Sequence, residues 1–283
     1  MYLFRINREI CREGFVLKKT DNERIVRNLT EEMITEVTLS SMKENPNGET
    51  NYPILEFDYR ALQLLSDGVR ETLKYSDVKP NGGAGYRFCK RAMDIILSSI
   101  ALLILLLPMA VIALLVFLQD GGSPFFSQAR LTEKGKVFHM YKFRSMCVDA
   151  EAKFAEVQKD NETDGLAFKN ANDPRITKIG GFLRKTSLDE LPQLWNILMG
   201  DMSVIGPRPP LPREVVLYTP EYMNRLLVKG GLSCIAQCEG RSDVEFEKWV
   251  ESDIEYIKTR SLGLDIKLIF RTIGAVVMKK GAR

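Results

Sequence analysis

Hydrophobic residues are spaced along the chain in three distinct ways. From Ile95 to Leu118 no charge interrupts an almost wholly apolar run. As a straight helix of roughly 36 Å it would be long enough to cross a bilayer. Tyr59 to Lys74 and Asp243 to Ser261 instead set apolar residues at helical spacing among charges, which predicts amphipathic helices. Trp249 and Tyr256 are candidate interfacial anchors on the second of them. Leu264 to Met278 is apolar but carries Lys267 and Arg271, so it reads as a helix packed on the domain or lying in an interface. Phe125 to Met146 alternates apolar and polar stretches and predicts a short hairpin. Leu211 to Lys229 reads as helical apart from Pro212 and Pro220, and Asp149 to Asn161 as a charged helix. The fold class expected from these elements is α+β, mainly helical.

Two features of the apolar run argue against a simple span. Pro108 divides it into arms of about 20 and 15 Å, each shorter than the ~30 Å hydrocarbon core. Both flanks are basic, with Arg87, Lys90 and Arg91 before it and Arg130, Lys134 and Lys136 after it. Positive flanks favour the same side of a membrane for both ends. A helix–break–helix that enters one leaflet and returns at Pro108 satisfies both observations, with Ser98 and Ser99 available to bond backbone groups near a bend. On the residues alone, re-entrant and spanning topologies both remain open. Gly121-Gly122-Ser123-Pro124 should end the helix and return the chain to water.

Composition adds limits rather than an activity. A net charge of +3 is too small to suggest nucleic acid as a partner. The five cysteines have no framework spacing, which fits reduced thiols in a cytosolic environment, and Cys234-x-x-x-Cys238 lacks partners for structural zinc. Met1 to Ile10 carries Arg5, Arg8 and Glu9 and does not read as a secretory signal. Residues 1–80 hold no catalytic constellation and read as a soluble appendage of unknown role. Residues 81–120 then form a linker (Pro80 to Gly85) and the membrane helix, and 121–283 a catalytic domain. The one histidine, His139, lies on a strand-like apolar run and reads as structural.

The chemistry centres on Thr186 to Trp195, TSLDELPQLW. Ser187 followed by Glu190 has capping-box spacing, so a helix is expected to start near Ser187 with Asp189 and Glu190 in its first turn. Capping alone would explain two acids there, but Pro192 would then sit inside the helix, at a cost of ~3 kcal/mol. Arg184 precedes the pair, and Arg208 follows in the proline-stiffened Gly206-Pro207-Arg208-Pro209-Pro210. Adjacent carboxylates, a helix N-terminus and two arginines suit phosphoryl transfer. Lys142 could face phosphate or headgroups, or simply be solvated.

The stretch TSLDELPQLWNILMGDMSVIGPRPPLP, with YKFRSM (Tyr141 to Met146) and NDPRITKIGGFLRK (Asn172 to Lys185), closely resembles the signature of bacterial sugar transferases, the monotopic phosphoglycosyl transferases. The resemblance spans roughly Arg87 to Arg283. It implies transfer of a sugar-1-phosphate from a UDP-sugar to polyprenyl phosphate, with UMP released, at the start of membrane-linked glycan assembly. It also implies a re-entrant anchor, a catalytic domain on the cytoplasmic face of a bacterial inner membrane, and interfacial amphipathic helices.

Under that resemblance Asp189 is the nucleophile of a covalent phosphosugar intermediate. Glu190 is acid/base or metal partner, and Mg²⁺ is expected on Asp189, Glu190 and substrate oxygens. Arg184, Arg208 and Arg175 (of the DPR element) would bind phosphate, although a surface turn is the plainer reading of Arg175. Gln237 and Arg241 match the family pattern and would contact nucleotide or sugar. Gly230 and Cys234 depart from it, standing where the family has proline and glycine. UDP-sugar, polyprenyl phosphate and membrane lipids are the implied partners, with a homodimer as one option. Two rival readings remain: a catalytically silent membrane scaffold, and a direct-displacement transferase without a covalent intermediate. The identity of the sugar is not legible.

Overall fold

The computed structural model describes residues 59–150, 153, 173–239 and 246–277. Residues 1–58, most of the expected helix after Asp149, Arg241 and the terminal Lys279, Lys280 and Arg283 lie outside the described residues.

Helix α1, Tyr59–Lys74, forms where the apolar spacing places it. Its apolar face, Leu65 and Val69, is fully buried in a cluster with Leu131, Val215, Val216, Tyr218, Met223 and Leu226. Helix α1 therefore shares a core with residues drawn from 131 to 226. Arg70 adds a 3.3 Å hydrogen bond from Nε to the carbonyl of Lys134 in the hairpin turn. That turn needs positive φ at Lys134 and Gly135, and a Cβ on Gly135 would lie 2.9 Å from Val69 Cβ. The close approach of α1 selects glycine there.

Helix α2, Ala84–Asp120, runs unbroken through Pro108 for about 55 Å. Gly121 ends it in the left-handed conformation, its N–H reaching the carbonyl of Phe117 at 2.8 Å, the glycine C-cap expected of this sequence. Strands β1 (Phe125–Leu131) and β2 (Val137–Phe143) then form the expected antiparallel hairpin, pairing Phe125 with Phe143 and Leu131 with Val137.

Helices α3 (Lys178–Thr186) and α4 (Gln193–Met199) flank the acid pair. Beyond them, β3 (Ser203–Ile205) runs parallel to β4 (Gly231–Ser233), enclosing the short helices α5 (Pro212–Val215) and α6 (Pro220–Met223). A short α7 (Ile235–Glu239) and the long α8 (Phe246–Thr259) and α9 (Leu262–Val277) complete the described chain. Tyr256 is not an interfacial anchor. It is buried, with its hydroxyl donating to Asp265 Oδ1 at 2.7 Å.

The packing of α2 positions everything else. One face lies against the domain on both sides of Pro108. Ala101, Leu102 and Leu105 meet Phe138, Met140, Leu194 and Ile197. Met109, Ile112, Ala113 and Val116 meet Phe143, Leu183, Leu188 and Leu191. The opposite face is bare, with Leu103 78% and Leu107 74% exposed.

Both ends of α2 are tied to the same body. Near the N-terminus, Lys90 Nζ reaches the fully buried Asp265 at 3.0 Å, and Arg91 donates to the carbonyls of Ile197 (2.6 Å) and Leu198 (2.7 Å). Buried Asp94 accepts from Ser203 Oγ and the Val204 N–H, each at 3.0 Å. At the C-terminus, Arg144 grips both carboxylate oxygens of Asp120 and donates to the Ser123 carbonyl at 2.6 Å. Ser98 bonds the carbonyl of Asp94 at 2.7 Å, well before Pro108 rather than at a bend.

Candidate active site

The acid pair does not open a helix. Ser187 adopts a left-handed conformation (φ 58°) that closes α3, and its side chain caps nothing. Asp189 and Glu190 then form a 3₁₀ turn, Leu188–Glu190, held by the Glu190 N–H to the Ser187 carbonyl and the Leu191 N–H to that of Leu188, both 3.3 Å. Pro192 supplies the reason. It has no N–H to close an α-helical turn on Leu188, and its fixed φ instead starts the next helix as the N-cap of α4. Leu188 and Leu191 on either side of the acids belong to the same cluster as Met109, Ile112, Ala113 and Val116 of α2, so the acid turn shares a core with the apolar helix.

Within this turn Asp189 is 8% exposed and Glu190 more open. Lys142, from β2, reaches over both: its Nζ is 2.8 Å from Glu190 Oε1 and 3.9 Å from Asp189 Oδ2. Lys142 is thus the residue the sequence undervalued. A solvated basic side chain and a site ammonium look alike until the hairpin is laid against α4. Asn196 makes that juxtaposition, accepting from the Tyr141 N–H at 3.0 Å and donating to the His139 carbonyl at 2.8 Å. His139 itself lies on the exposed face, 3.3 Å from Ser127 Oγ.

Burial pushes the Asp189 carboxyl above its ordinary range, and Glu190 beside it pushes the same way. Lys142 and, less strongly, Arg184 pull it back. Burial likewise lowers the pKa of the Arg184 guanidinium, against the opposing pull of Asp189 and Asp173. Arg184 donates from Nε to Ser145 Oγ at 2.8 Å. Gly180 makes that contact reachable: a Cβ there would fall 1.9 Å from the Ser145 carbonyl oxygen, so only glycine lets α3 approach.

The remaining expected phosphate ligands make other contacts. Arg175 is buried, not on a surface turn, and pairs with Asp173 through Nε (2.9 Å) and a terminal nitrogen (2.6 Å). Arg208 lies with its guanidinium 6.0 Å from the centre of the Trp249 ring and close enough to buried Arg130 to lower its pKa. Arg130 is four residues from Lys142 in hairpin register, opposite Phe138, about 13 Å away. Lys142, Asp189, Glu190 and Arg184 form one cluster, and Arg208 sits with Trp249 and Arg130. Gln237, on α7, keeps a buried Oε1 without a partner.

No three acid, histidine or cysteine side chains among the described residues stand close enough to hold a metal unaided. Two adjacent carboxylates nevertheless fit Mg²⁺, which takes one or two carboxylates and fills its shell with water and substrate oxygens. The ammonium of Lys142 already sits where cationic charge is favoured.

Comparison with known proteins identifies the architecture. Residues 85–279 match the model of a family described as bacterial sugar transferase. The chain is 42% identical over 203 residues to the UDP-galactose-lipid carrier transferase of Erwinia amylovora, covering 69% of this chain and 42% of that one. It is 40% identical over 205 residues to the UDP-glucose:undecaprenyl-phosphate glucose-1-phosphate transferase of Escherichia coli, covering 69% and 42%. It is 38% identical over 209 residues to the exopolysaccharide production protein ExoY of Rhizobium meliloti, covering 72% and 91%. The match thus spans less than half of the first two relatives and nearly all of the third.

Proposed function

The chain belongs to the bacterial sugar transferase family, and from that premise we propose that it transfers a sugar-1-phosphate from a UDP-sugar to undecaprenyl phosphate, releasing UMP and beginning the assembly of a membrane-linked glycan. The observation that carries this reading is the buried Asp189, short of partners and flanked by Lys142, Glu190 and Arg184, in a turn that shares a core with an apolar helix. A charged nucleophile and a lipid-facing surface are brought together, as a reaction between a nucleotide sugar and a lipid phosphate requires.

In the proposed scheme an Asp189 carboxylate oxygen attacks the β-phosphorus of the UDP-sugar. An O–P bond forms, the bond to UMP breaks, and UMP leaves with the electron pair. The lipid phosphate oxygen then attacks the same phosphorus and expels Asp189, regenerating the carboxylate. Lys142 and Arg184 offset the charge of the equatorial oxygens, and Glu190 holds Lys142 in place over the acid pair. Mg²⁺, held by Glu190, Asp189 and substrate oxygens, would supply charge neutralisation of the diphosphate. Turnover of a panel of UDP-sugars with undecaprenyl phosphate, followed as UMP release, tests the assignment. Release with no member of the panel would favour the scaffold reading.

The helix–break–helix expected at Pro108 is not seen, since α2 continues through it; for the membrane we propose a monotopic arrangement on the cytoplasmic face of the inner membrane, with the bare face of α2 against one leaflet and both of its ends on the same side. Its support is that both ends of α2 are fastened to one body, through Asp265 and Leu198 at one end and Arg144 at the other. Single cysteines replacing Arg87 and Lys134 should both be protected from an impermeant thiol reagent outside intact cells. Labelling of one alone would establish a span.

A further inference from the structure

Far from the acid pair, a shallow cavity of about 340 Å³ opens between the start of α2 and the α8–α9 corner. It is lined by Asn81, Gly82, Gly85, Tyr86, Cys89, Arg260 and their neighbours. Arg260 is the unusual wall. It is only 9% exposed, yet it has no carboxylate partner among the described residues. Its Nε donates to the Asn81 carbonyl at 2.6 Å, and its guanidinium lies 5.3 Å from the centre of the Tyr86 ring. Those contacts fix the plane of the group and leave both terminal nitrogens without a hydrogen bond among the described residues.

A guanidinium held in a fixed plane with its terminal nitrogens open to a cavity offers an anion a preformed pair of donors. The uncapped N-terminus of α2 adds to that offer, since Gly83 offers its first turn no side chain. The helices that meet at the cavity also carry exposed apolar residues. Phe88 of α2 is 75% exposed and Phe270 of α9 is 70% exposed, with Ile266 open one turn nearer. Cys89 precedes Ile95, where the apolar run begins, by about 9 Å of helix. A cationic cavity next to that run, on helices that carry exposed aromatics, has the chemistry of a headgroup site.

We propose that this cavity binds the phosphate of an anionic glycerophospholipid, with the terminal nitrogens of Arg260 as its ligands and Phe88 and Phe270 against the acyl chains. The inference rests on the membrane reading of α2. It does not concern the acceptor lipid, because Leu105, which packs beside Leu191 at the acid pair, is about 24 Å further along α2 than Cys89.

Cys89 lines the cavity and is exposed, so the native thiol reports occupancy. The full chain is floated with vesicles of phosphatidylcholine, with and without phosphatidylglycerol, and the rate of Cys89 alkylation by a neutral maleimide is read by mass spectrometry. Phosphatidylglycerol should slow alkylation about fivefold or more, and Arg260→Gln should abolish the difference. Gly85→Phe, at a position where an added Cβ meets nothing, should fill the cavity without touching Arg260 and also abolish it. Equal rates in the two vesicles, or protection surviving in both variants, would overturn the site. Protection by inorganic phosphate in phosphatidylcholine vesicles, or by undecaprenyl phosphate alone, would overturn the lipid assignment. Failure of the chain to float would instead overturn the membrane reading on which the proposal rests.

Discussion

Asp173 and Asp189 are both buried and both lie within the field of Arg184, but the protein treats them in opposite ways. Asp173 receives three side-chain hydrogen bonds and a 3.0 Å backbone N–H from Arg175. Burial works to raise its pKa, and those hydrogen bonds outweigh it and hold the carboxyl below the usual range. Asp189 has a lysine at 3.9 Å and no such clamp, so burial wins and its pKa rises. A satisfied carboxylate contributes to the fold. One kept short of partners, in a core shared with an exposed apolar helix, is available to a substrate.

Substitution should separate the two most strongly at the chemistry. Asp189→Asn should lower turnover by several orders of magnitude, because the nucleophile is lost. It should not lower the melting temperature. A carboxyl whose pKa is raised on folding favours the protonated folded state, so its charge at neutral pH opposes folding, and Asn removes that opposition. Asp173→Asn should do the reverse, costing about 3–5 kcal/mol by leaving Arg175 half-paired while each folded molecule keeps its activity. The pH dependence has its own sign. The stability from Asp173 is present above the ordinary carboxylate range and lost as pH falls through its depressed folded value, so Asp173→Asn should flatten the acid limb of a stability–pH curve.

Smaller changes sharpen the comparison. Lys142→Met should slow turnover by roughly 100-fold with little loss of stability, since removing a charge that faces the reacting phosphate acts mainly on rate. Arg184 is shared between both acids, so Arg184→Gln should show each effect in reduced form, about tenfold in rate and about 1 kcal/mol in stability. A variant that lost only stability would place Arg184 wholly with Asp173.

Much of this arrangement could be read from the chain because it is local. The spacing around Leu65 and Val69 delimits α1, Gly121 ends α2, and Lys134-Gly135 turns the hairpin. The acid pair stood out because Pro192 made an ordinary helix start implausible, although its consequence was a 3₁₀ turn rather than a capped helix. What the sequence hid depends on tertiary contact. Lys142 needed β2 laid on α4 through Asn196, and Arg175 needed Asp173 folded back on it. Arg208 was legible as a candidate phosphate ligand, whereas its contact with Trp249 depends on where the loop after β3 carries it. The apolar face of α1 was legible, whereas its partners, drawn from residues 131 to 226, were not.

The central claim is that Asp189 is a nucleophile and not a structural acid. The direct measurement is the mass of the enzyme after incubation with its UDP-sugar and Mg²⁺ in the absence of lipid acceptor. The account predicts release of about one UMP per active site, and an adduct of phosphosugar mass on the peptide containing Asp189, absent in Asp189→Asn. An adduct mapped to Glu190, or UMP release that begins only when undecaprenyl phosphate is added and leaves no adduct, would contradict it.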